Sequence, residues 1–81
     1  MFYVYILKLS NQKYYTGQTN NFTRRISQHS AGQCISTKNH LPFKVVFTKK
    51  KATRKQAVKL ERFIKNKGAH RFLLVYQFGS T

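Results

Sequence analysis

The feature that most constrains the fold is an almost continuous apolar run over residues 2–9, at the start of the chain. The run is rich in aromatic and β-branched side chains, a pattern typical of a β-strand that is buried on both faces. A polar turn over residues 10–12 and a half-polar segment over residues 13–19 follow it. The sequence therefore predicts a β-hairpin whose first strand lies inside the molecule.

Tyrosines occupy alternate positions of this hairpin. Because side chains alternate between the two faces of a strand, Tyr3 and Tyr5 share one face of the first strand. By the same rule, Tyr15 and Gly17 share one face of the second. Such tyrosines are most often core residues whose hydroxyl has a hydrogen-bond partner. The alternative is a phenol that accepts or donates a proton, which requires a cation or an arginine nearby. Gly17 indicates a bend or a close approach between neighbouring groups.

A helix and a loop follow the hairpin. Asn20 or Asn21 can cap a helix that begins at Phe22 and ends near Ser30. Residues 30–42 are polar and predict a loop that is long for so small a domain.

The second half of the chain predicts a third strand and a second helix. The strand covers residues 43–48, and lysines at positions 49–51 lead away from it. Thr53, with Gln56 three residues later, is a capping-box signature for a helix that runs to about Asn66.

The chain is expected to form one domain over residues 1–81, because its length leaves no room for a second core. The apolar segment over residues 70–78 fits either a short helix or a final strand. The predicted order is strand, strand, helix, strand, helix, followed by this short C-terminal element.

The charge balance indicates a polyanionic partner. The chain has 16 lysines and arginines against one acidic residue, for a formal net charge of +15. Self-repulsion of this size destabilises the compact state unless an anionic partner neutralises it. Nucleic acid is the first candidate, since phosphate contacts supply most sequence-independent affinity. An anionic membrane surface is less favoured, because no long amphipathic basic helix dominates the chain.

The sequence predicts an intracellular, cytoplasmic protein without a membrane segment. No apolar run approaches the roughly 20 residues that span a bilayer. The chain begins directly on a predicted strand, so no signal peptide is expected. Cys34 is the only cysteine, which excludes an intramolecular disulfide and a cysteine-based zinc site.

Glu61, the one acidic residue, is the most informative single position. It lies between Ala57 and Ile64 on the second predicted helix, on or beside the face turned toward the core. One interpretation is an ion pair with Lys65, four residues later. The other is a ligand for a hard divalent cation, which binds oxygen and keeps several waters where few carboxylates are offered. The spacing alone leaves both open.

The first helix carries candidate phosphate-binding and proton-transfer groups. Arg25 lies near the apolar side of the helix, where its guanidinium could hold a phosphate with two hydrogen bonds. Arg24 is expected to contact solvent or phosphate. His29, one turn after Arg25, could be a general acid or base, or a polar residue at the helix end. Cys34 and His40 lack partners at the spacing of a metal site.

Taken in order, these residues resemble the GIY-YIG nuclease family, over residues 2–64. The likeness is to small stand-alone members that look like the N-terminal nuclease module of the bacterial excinuclease C subunit. Tyr3 stands where the family name has glycine, and Thr16 where it has isoleucine. Gln18 stands where excinuclease-like members often carry a lysine. The residues that carry the resemblance are Tyr3-Val4-Tyr5, Tyr15-Thr16-Gly17, the helical segment 22–29 and Glu61.

The resemblance implies an α/β (α+β) fold with a three-stranded antiparallel sheet flanked by helices. It also implies a metal-dependent phosphodiesterase. Tyr5 and Tyr15 match the two motif tyrosines, one of which accepts the proton of the attacking water. Arg25 matches the arginine that stabilises charge on the phosphate, and His29 matches the histidine one turn later. Glu61 matches the glutamate that holds one Mg²⁺ or Mn²⁺ to support the leaving 3′-oxygen.

We therefore expect a DNA endonuclease with a role in DNA repair or processing. It would act as a monomer or weak homodimer, without a small-molecule cofactor. Gly17 is expected to shape the site, and Arg24, Lys13 and Lys44 to contact the nucleic acid. The first alternative is a non-catalytic basic module that binds DNA or RNA. A ribosome-associated or structural basic protein would explain the charge but not the placement of Glu61.

Overall fold

The computed structural model describes residues 1–35 and 37–78. Within them, the strands form one antiparallel sheet with helices on both faces. The strand order places the first strand in the centre, between the second and the third. This architecture confirms the predicted fold class. In chain order the elements are β1 (Phe2–Lys8), β2 (Tyr14–Thr19), α1 (Phe22–Ser30), a 3₁₀ turn (Lys38–His40), β3 (Lys44–Lys51), α2 (Arg54–Lys67) and α3 (Ala69–Phe78).

The central strand β1 buries side chains on both faces, as its apolar run predicts. Val4 and Ile6 point to the face that α2 and α3 cover, and Tyr5 and Leu7 point to the face that α1 covers. All four are fully buried, with 0% exposure. The core on the first side of the sheet also includes Phe47, Ala57, Ile64 and Leu73. The core on the second side also includes Leu9, Tyr15, Phe22, Ile26 and Phe43.

Local hydrogen bonds fix the position of α1. Asn21 is its N-cap, and the side-chain oxygen accepts a hydrogen bond from the Arg24 backbone N–H at 3.1 Å. The helix ends as predicted, and Gly32 follows with a φ of 75°, a left-handed conformation that glycine adopts at low cost. Arg25 and His29 consequently lie one turn apart on the side that faces β1.

The capping-box signature also predicts the start of α2 correctly. The Thr53 hydroxyl accepts a hydrogen bond from the Gln56 N–H at 3.2 Å. The Gln56 side chain accepts one in return from the Ala52 N–H, also at 3.2 Å. Ala57 and Ile64 are buried against the sheet, so the predicted apolar stripe does face the core.

The extent of β3 differs from the prediction. The strand runs over Lys44–Lys51 rather than residues 43–48, so the three lysines continue the strand instead of leaving it. Their backbones pair with residues 2–4 of β1. Ladder hydrogen bonds join backbone groups and do not depend on side-chain polarity, so hydropathy could not locate this strand end.

The segment over residues 70–78 belongs to a helix, so its alternative as a final strand is wrong. It forms most of α3, which starts directly after Gly68, a residue with a φ of 92°. Phe72 packs edge-on against Phe47 of β3, with 5.1 Å between the ring centroids. Leu73 is buried beside it, and these contacts hold α3 on the sheet. In the described part of the chain, no helix combines the length and apolarity needed to cross a membrane.

Candidate active site

The hydroxyl of Tyr5 is the centre of the site. It lies 3.0 Å from His29 Nε2 and accepts a hydrogen bond from Arg25 Nε at 3.3 Å. Gly17 of β2 lies directly opposite Tyr5 in the sheet. A Cβ atom at position 17 would fall 2.6 Å from the Tyr5 hydroxyl oxygen, so only glycine leaves room for the phenol there. The structure thus brings together three predicted catalytic residues and the predicted structural glycine.

A buried threonine extends this network. Thr37 is 0% exposed, and its hydroxyl lies 2.9 Å from His29 Nδ1. The same hydroxyl donates a longer hydrogen bond, 3.5 Å, to the Cys34 carbonyl. His29 is therefore held at both ring nitrogens, by Tyr5 on one side and by Thr37 on the other.

The two ends of the network, together with a neutral imidazole, give each hydrogen bond a direction. The Arg25 guanidinium can only donate, and the Cys34 carbonyl can only accept. The Tyr5 oxygen accepts from Arg25 and donates its own proton to His29 Nε2. His29 carries its proton on Nδ1 and donates it to Thr37, which donates to the carbonyl. This assignment requires a neutral imidazole.

The surroundings favour those protonation states. Burial lowers the pKa of His29 below its ordinary value, and the nearby positive charge of Arg25 lowers it further. Burial raises the pKa of Tyr5, although the hydrogen bond from Arg25 opposes this effect. The pKa of Arg25 is raised, chiefly because the Tyr5 hydroxyl accepts a hydrogen bond from it. At neutral pH the site contains a charged guanidinium, a neutral phenol and a neutral imidazole.

Aromatic rings enclose the imidazole. Tyr15 packs edge-on against His29, with 5.2 Å between centroids, and lies 6.3 Å from the Tyr5 ring. Tyr15 also helps raise the pKa of the Arg25 guanidinium. Phe43 closes the other side of His29 at 6.0 Å. Tyr15 is partly exposed, whereas Tyr5 is fully buried.

A groove of about 320 Å³ opens beside Arg25. We name it the arginine groove. It contains no acidic side chain, so it offers a positive field to an anion. The Arg25 Nη1 atom donates to Gln28 Oε1 at 3.4 Å on its wall. The lining includes Gln18, Thr19, Arg24, Arg25, Gln28 and Arg54.

A second groove, of about 540 Å³, lies along the other end of β2. We name it the aromatic groove. Tyr15 lines it and also packs on His29, so one residue borders both the groove and the Tyr5 network. The lining includes Lys13, Tyr14, Tyr15, Lys65, His70 and Arg71.

Glu61 lies on α2, apart from the Tyr5 network. Its carboxylate forms an ion pair with Lys65 Nζ at 2.9 Å, and its side chain is 19% exposed. Arg54, Glu61 and Lys65 share one face of the helix, because they are separated by seven and four residues. Arg54 lines the arginine groove and Lys65 lines the aromatic groove. Glu61 therefore lies on the stretch of α2 between the two grooves.

The donor set fits a hard divalent cation rather than an all-protein metal cage. Among the described residues there is no group of three or more His, Cys, Asp or Glu side chains that could hold a metal, Cys34 and His40 included. Glu61 is the only carboxylate side chain in the sequence. Mg²⁺ suits such a site because it keeps several waters and binds through one or two carboxylates and substrate phosphates. In this structure the Glu61 carboxylate is paired with Lys65 through its Oε2 atom.

The predicted nucleic-acid contacts lie in different places. Arg24 lines the arginine groove and Lys13 the aromatic groove, whereas Lys44 is exposed at the start of β3 and lines neither of them.

Sequence reasoning missed Thr37 and Arg54. Thr37 lies in a polar segment that gives no sign of burial, and Arg54 follows a cap, where the pattern indicates only a helix start.

Comparison with known proteins agrees with the motif order and the fold. The sequence profile described as the GIY-YIG catalytic domain matches residues 1–72. A UPF0213 protein of Listeria welshimeri is 41% identical over 64 residues, which cover 78% of this chain and 71% of that protein. A UPF0213 protein of Natronomonas pharaonis is 34% identical over 65 residues, with 79% and 76% covered. The solution NMR structure of a UPF0213 protein from Bacillus halodurans is 31% identical, with a TM-score of 0.60, and covers 99% of this chain and 88% of that one.

Proposed function

The chain belongs to the GIY-YIG family, and from the geometry of its site we propose that it is a metal-dependent endonuclease that hydrolyses DNA phosphodiester bonds. One observation carries this proposal. The Tyr5 hydroxyl is held between a permanently charged guanidinium and a neutral imidazole, beside a positively charged groove. A purely structural tyrosine would need a single hydrogen-bond partner and no imidazole behind it to accept its proton.

In the proposed reaction, Tyr5 passes a proton from the attacking water to His29. The raised pKa of Tyr5 makes a free phenolate rare at neutral pH. The phenol oxygen therefore takes the proton of the water while its own proton moves to His29 Nε2. Thr37 keeps the Nδ1 proton in place, so Nε2 remains the acceptor. The site resets when the proton returns from His29 through Tyr5 to solvent.

Arg25 has two tasks in this scheme. Its guanidinium covers the Tyr5 oxygen, and it also lines the arginine groove. A phosphate in the groove would draw the guanidinium away from its 3.3 Å contact with Tyr5 and uncover the oxygen for water. The same positive charge then stabilises the negative charge that grows on the phosphate oxygens. Tyr15, beside Arg25 and partly exposed, would orient the water.

Glu61 is the proposed ligand of one Mg²⁺ or Mn²⁺. The bound ion would stabilise the charge on the leaving 3′-oxygen. Lys65 Nζ contacts only the Oε2 atom of the carboxylate, so the ion would either bind the other oxygen or displace Lys65. Displacement would cost little, because such surface ion pairs contribute about 0.3–0.5 kcal/mol.

The substrate is proposed to be DNA, bound mainly through its phosphates. A charge of +15 gives strong salt-dependent affinity with little dependence on base sequence. Arg24 and Lys13 in the grooves, and Lys44 on β3, are the proposed further phosphate contacts. The protein would act in DNA repair or processing in the cytoplasm, as a monomer or weak homodimer.

The proposal is tested by nicking of supercoiled plasmid with Mg²⁺, with Mn²⁺ and with a chelator. We expect metal-dependent nicking that Glu61→Gln abolishes, since the isosteric amide carries no charge for the ion. Tyr5→Phe should lower the rate about 100-fold or more, the usual contribution of a proton-transfer group. Tyr3→Phe is the matched control, because Tyr3 is on the same strand face and its contacts with Phe22 and Lys50 use the ring alone. Nicking that survives Glu61→Gln and chelator would refute the assignment.

The second candidate is a basic module that binds DNA or RNA without cleaving it. The Glu61–Lys65 ion pair favours it, because this pair is what a structural role for the only carboxylate predicts. This candidate predicts retention on nucleic acid, no cleavage with any metal, and no response to Tyr15→Phe. The same plasmid assay therefore separates the two functions.

A further inference from the structure

The aromatic groove has a composition that the cleavage reaction does not use. Besides Tyr15, the groove is lined by two further rings and by three cationic side chains, Lys13, Lys65 and Arg71. The two further rings are Tyr14 and His70, whose centroids are 6.2 Å apart. Tyr14 is half-buried against the core beneath it, while His70 is exposed to solvent. The groove therefore combines positive charge with two aromatic side chains that are at least partly exposed.

Such a combination is suited to an unpaired nucleic-acid strand. Cationic side chains follow the phosphates, and aromatic rings stack on the bases. The base faces of a duplex are covered by neighbouring base pairs except at its ends, so a duplex could use the charges of this groove but not its rings. A free phosphate would likewise contact the cationic side chains only and would leave the rings without a binding partner.

The groove lies at a defined distance from the proposed cleavage site. Tyr15 and Thr16 of β2 line the aromatic groove, and Gln18 and Thr19 of the same strand line the arginine groove. At about 3.3 Å per residue, the two grooves are about 10 Å apart along β2. A strand in a stacked duplex advances about 3.4 Å per nucleotide, so about three stacked nucleotides, or fewer in an extended strand, would connect the grooves.

From this arrangement we propose that the aromatic groove binds unpaired nucleotides within about three positions of the cleaved bond, so that the substrate is DNA with a single-stranded segment beside the cut. This inference rests on the proposed function for the position of the cut, but the groove itself can be tested without cleavage. Lys13 and Arg71 bind the phosphates of the segment, and His70 with Tyr14 provides the stacking surface. Lys65 reaches the strand when it is not paired with Glu61.

The test is fluorescence anisotropy of labelled DNA in chelator, where no cleavage takes place. The probes are a blunt duplex, the same duplex with a single-stranded thymidine tail, and the same duplex with an abasic tail of equal length. We expect the thymidine-tailed duplex to bind about 5-fold or more tightly than the abasic one, as base–ring stacking predicts. His70→Ala should remove most of this difference, and Tyr14→Leu should do so while preserving apolar packing beneath the groove.

Lys59→Ala is the matched control. Lys59 is exposed on α2 and lines neither groove, so its loss should weaken all three probes equally. Lys13→Ala should instead weaken both tailed probes more than the blunt one. Equal binding of blunt and thymidine-tailed duplexes, or a preference for bases that survives His70→Ala and Tyr14→Leu, would overturn the proposal. Absence of nicking on any DNA with metal would refute the endonuclease and leave this binding result intact.

Discussion

The residues of the site depend on Thr37 for their protonation pattern. In the proposed reaction, Tyr5 and His29 form a productive pair only if His29 Nε2 is free of a proton, and the contact of Thr37 with Nδ1 would secure this. Thr37 does not face a groove and is fully buried. It therefore acts through His29, as a positioning residue, and its effect should be visible in the proton-transfer step rather than in DNA binding.

Replacement of Thr37 tests this role. Thr37→Val is nearly isosteric but leaves His29 Nδ1 without its partner, which should lower kcat about 10-fold or more with little change in KM. An unsatisfied buried donor also lowers the free energy of unfolding by about 1–3 kcal/mol. Thr37→Ser retains the hydroxyl and should restore most of kcat. If the serine variant is as slow as the valine variant, the hydroxyl is not the cause.

The lowered pKa of His29 predicts how stability depends on pH. The unfolded chain has an ordinary histidine pKa of 6.5, whereas the folded value lies lower. At a pH between these two pKa values the unfolded state binds more protons, so the free energy of unfolding decreases as the pH falls below 6.5. Above pH 6.5 the contribution of His29 to stability is fully present. Nicking, which in the proposed reaction needs a neutral His29, should likewise keep its rate at pH 6.5 and lose it only at lower pH.

Urea unfolding across about pH 5 to 8 measures the stability effect. The chain suits the experiment because Glu61 is its only acidic side chain, so few carboxylates titrate in the same range. A free energy of unfolding that stays constant below pH 6.5 would show that His29 is not buried as a neutral group.

At the scale of elements, the sequence predicted the features that depend on residues close together in the chain, such as the buried strand and the helix starts. The apolar run over residues 2–9 gives a central strand because only a strand covered on both faces can bury it. Asn21 and Thr53 begin α1 and α2 because each accepts a hydrogen bond from an N–H that the helix leaves free. Tyr5, Gly17 and Arg25 converge because alternation in strands and the turn of a helix determine which way they point.

The remaining features depend on contacts between distant segments. The end of β3 is set by pairing with β1, which continues past hydrophobic positions into lysines. The helical form of α3 is decided by Phe47 and the sheet surface beneath it. Thr37 is buried because the loop after α1 folds back over His29, and a polar sequence does not indicate such a path. Glu61 could be assigned to a helix face, but not to the space between two grooves.

At the scale of the whole molecule, the charge of +15 determines how DNA binding responds to salt. Each phosphate that a lysine or arginine neutralises releases counterions, which adds about 0.9 to the slope of log affinity against log salt for duplex DNA and about 0.7 for a single strand. Most of this slope should come from residues in the two grooves, because they surround the proposed path of the strand along β2, and Lys44 should add one contact outside them. The exposed lysines elsewhere contribute a general attraction that salt screens over about 10 Å.

Salt titrations of Arg54→Ala and Lys59→Ala separate these contributions. Both substitutions remove one positive charge from α2, but only Arg54 lines the arginine groove. We expect Arg54→Ala to reduce the slope for a blunt duplex by about one and Lys59→Ala to leave it unchanged. A duplex is used because its slope per contact is the larger one, and chelator prevents cleavage during the measurement. Equal slopes in the two variants would mean that DNA is held by the overall field of the protein, and that the arginine groove is not its path.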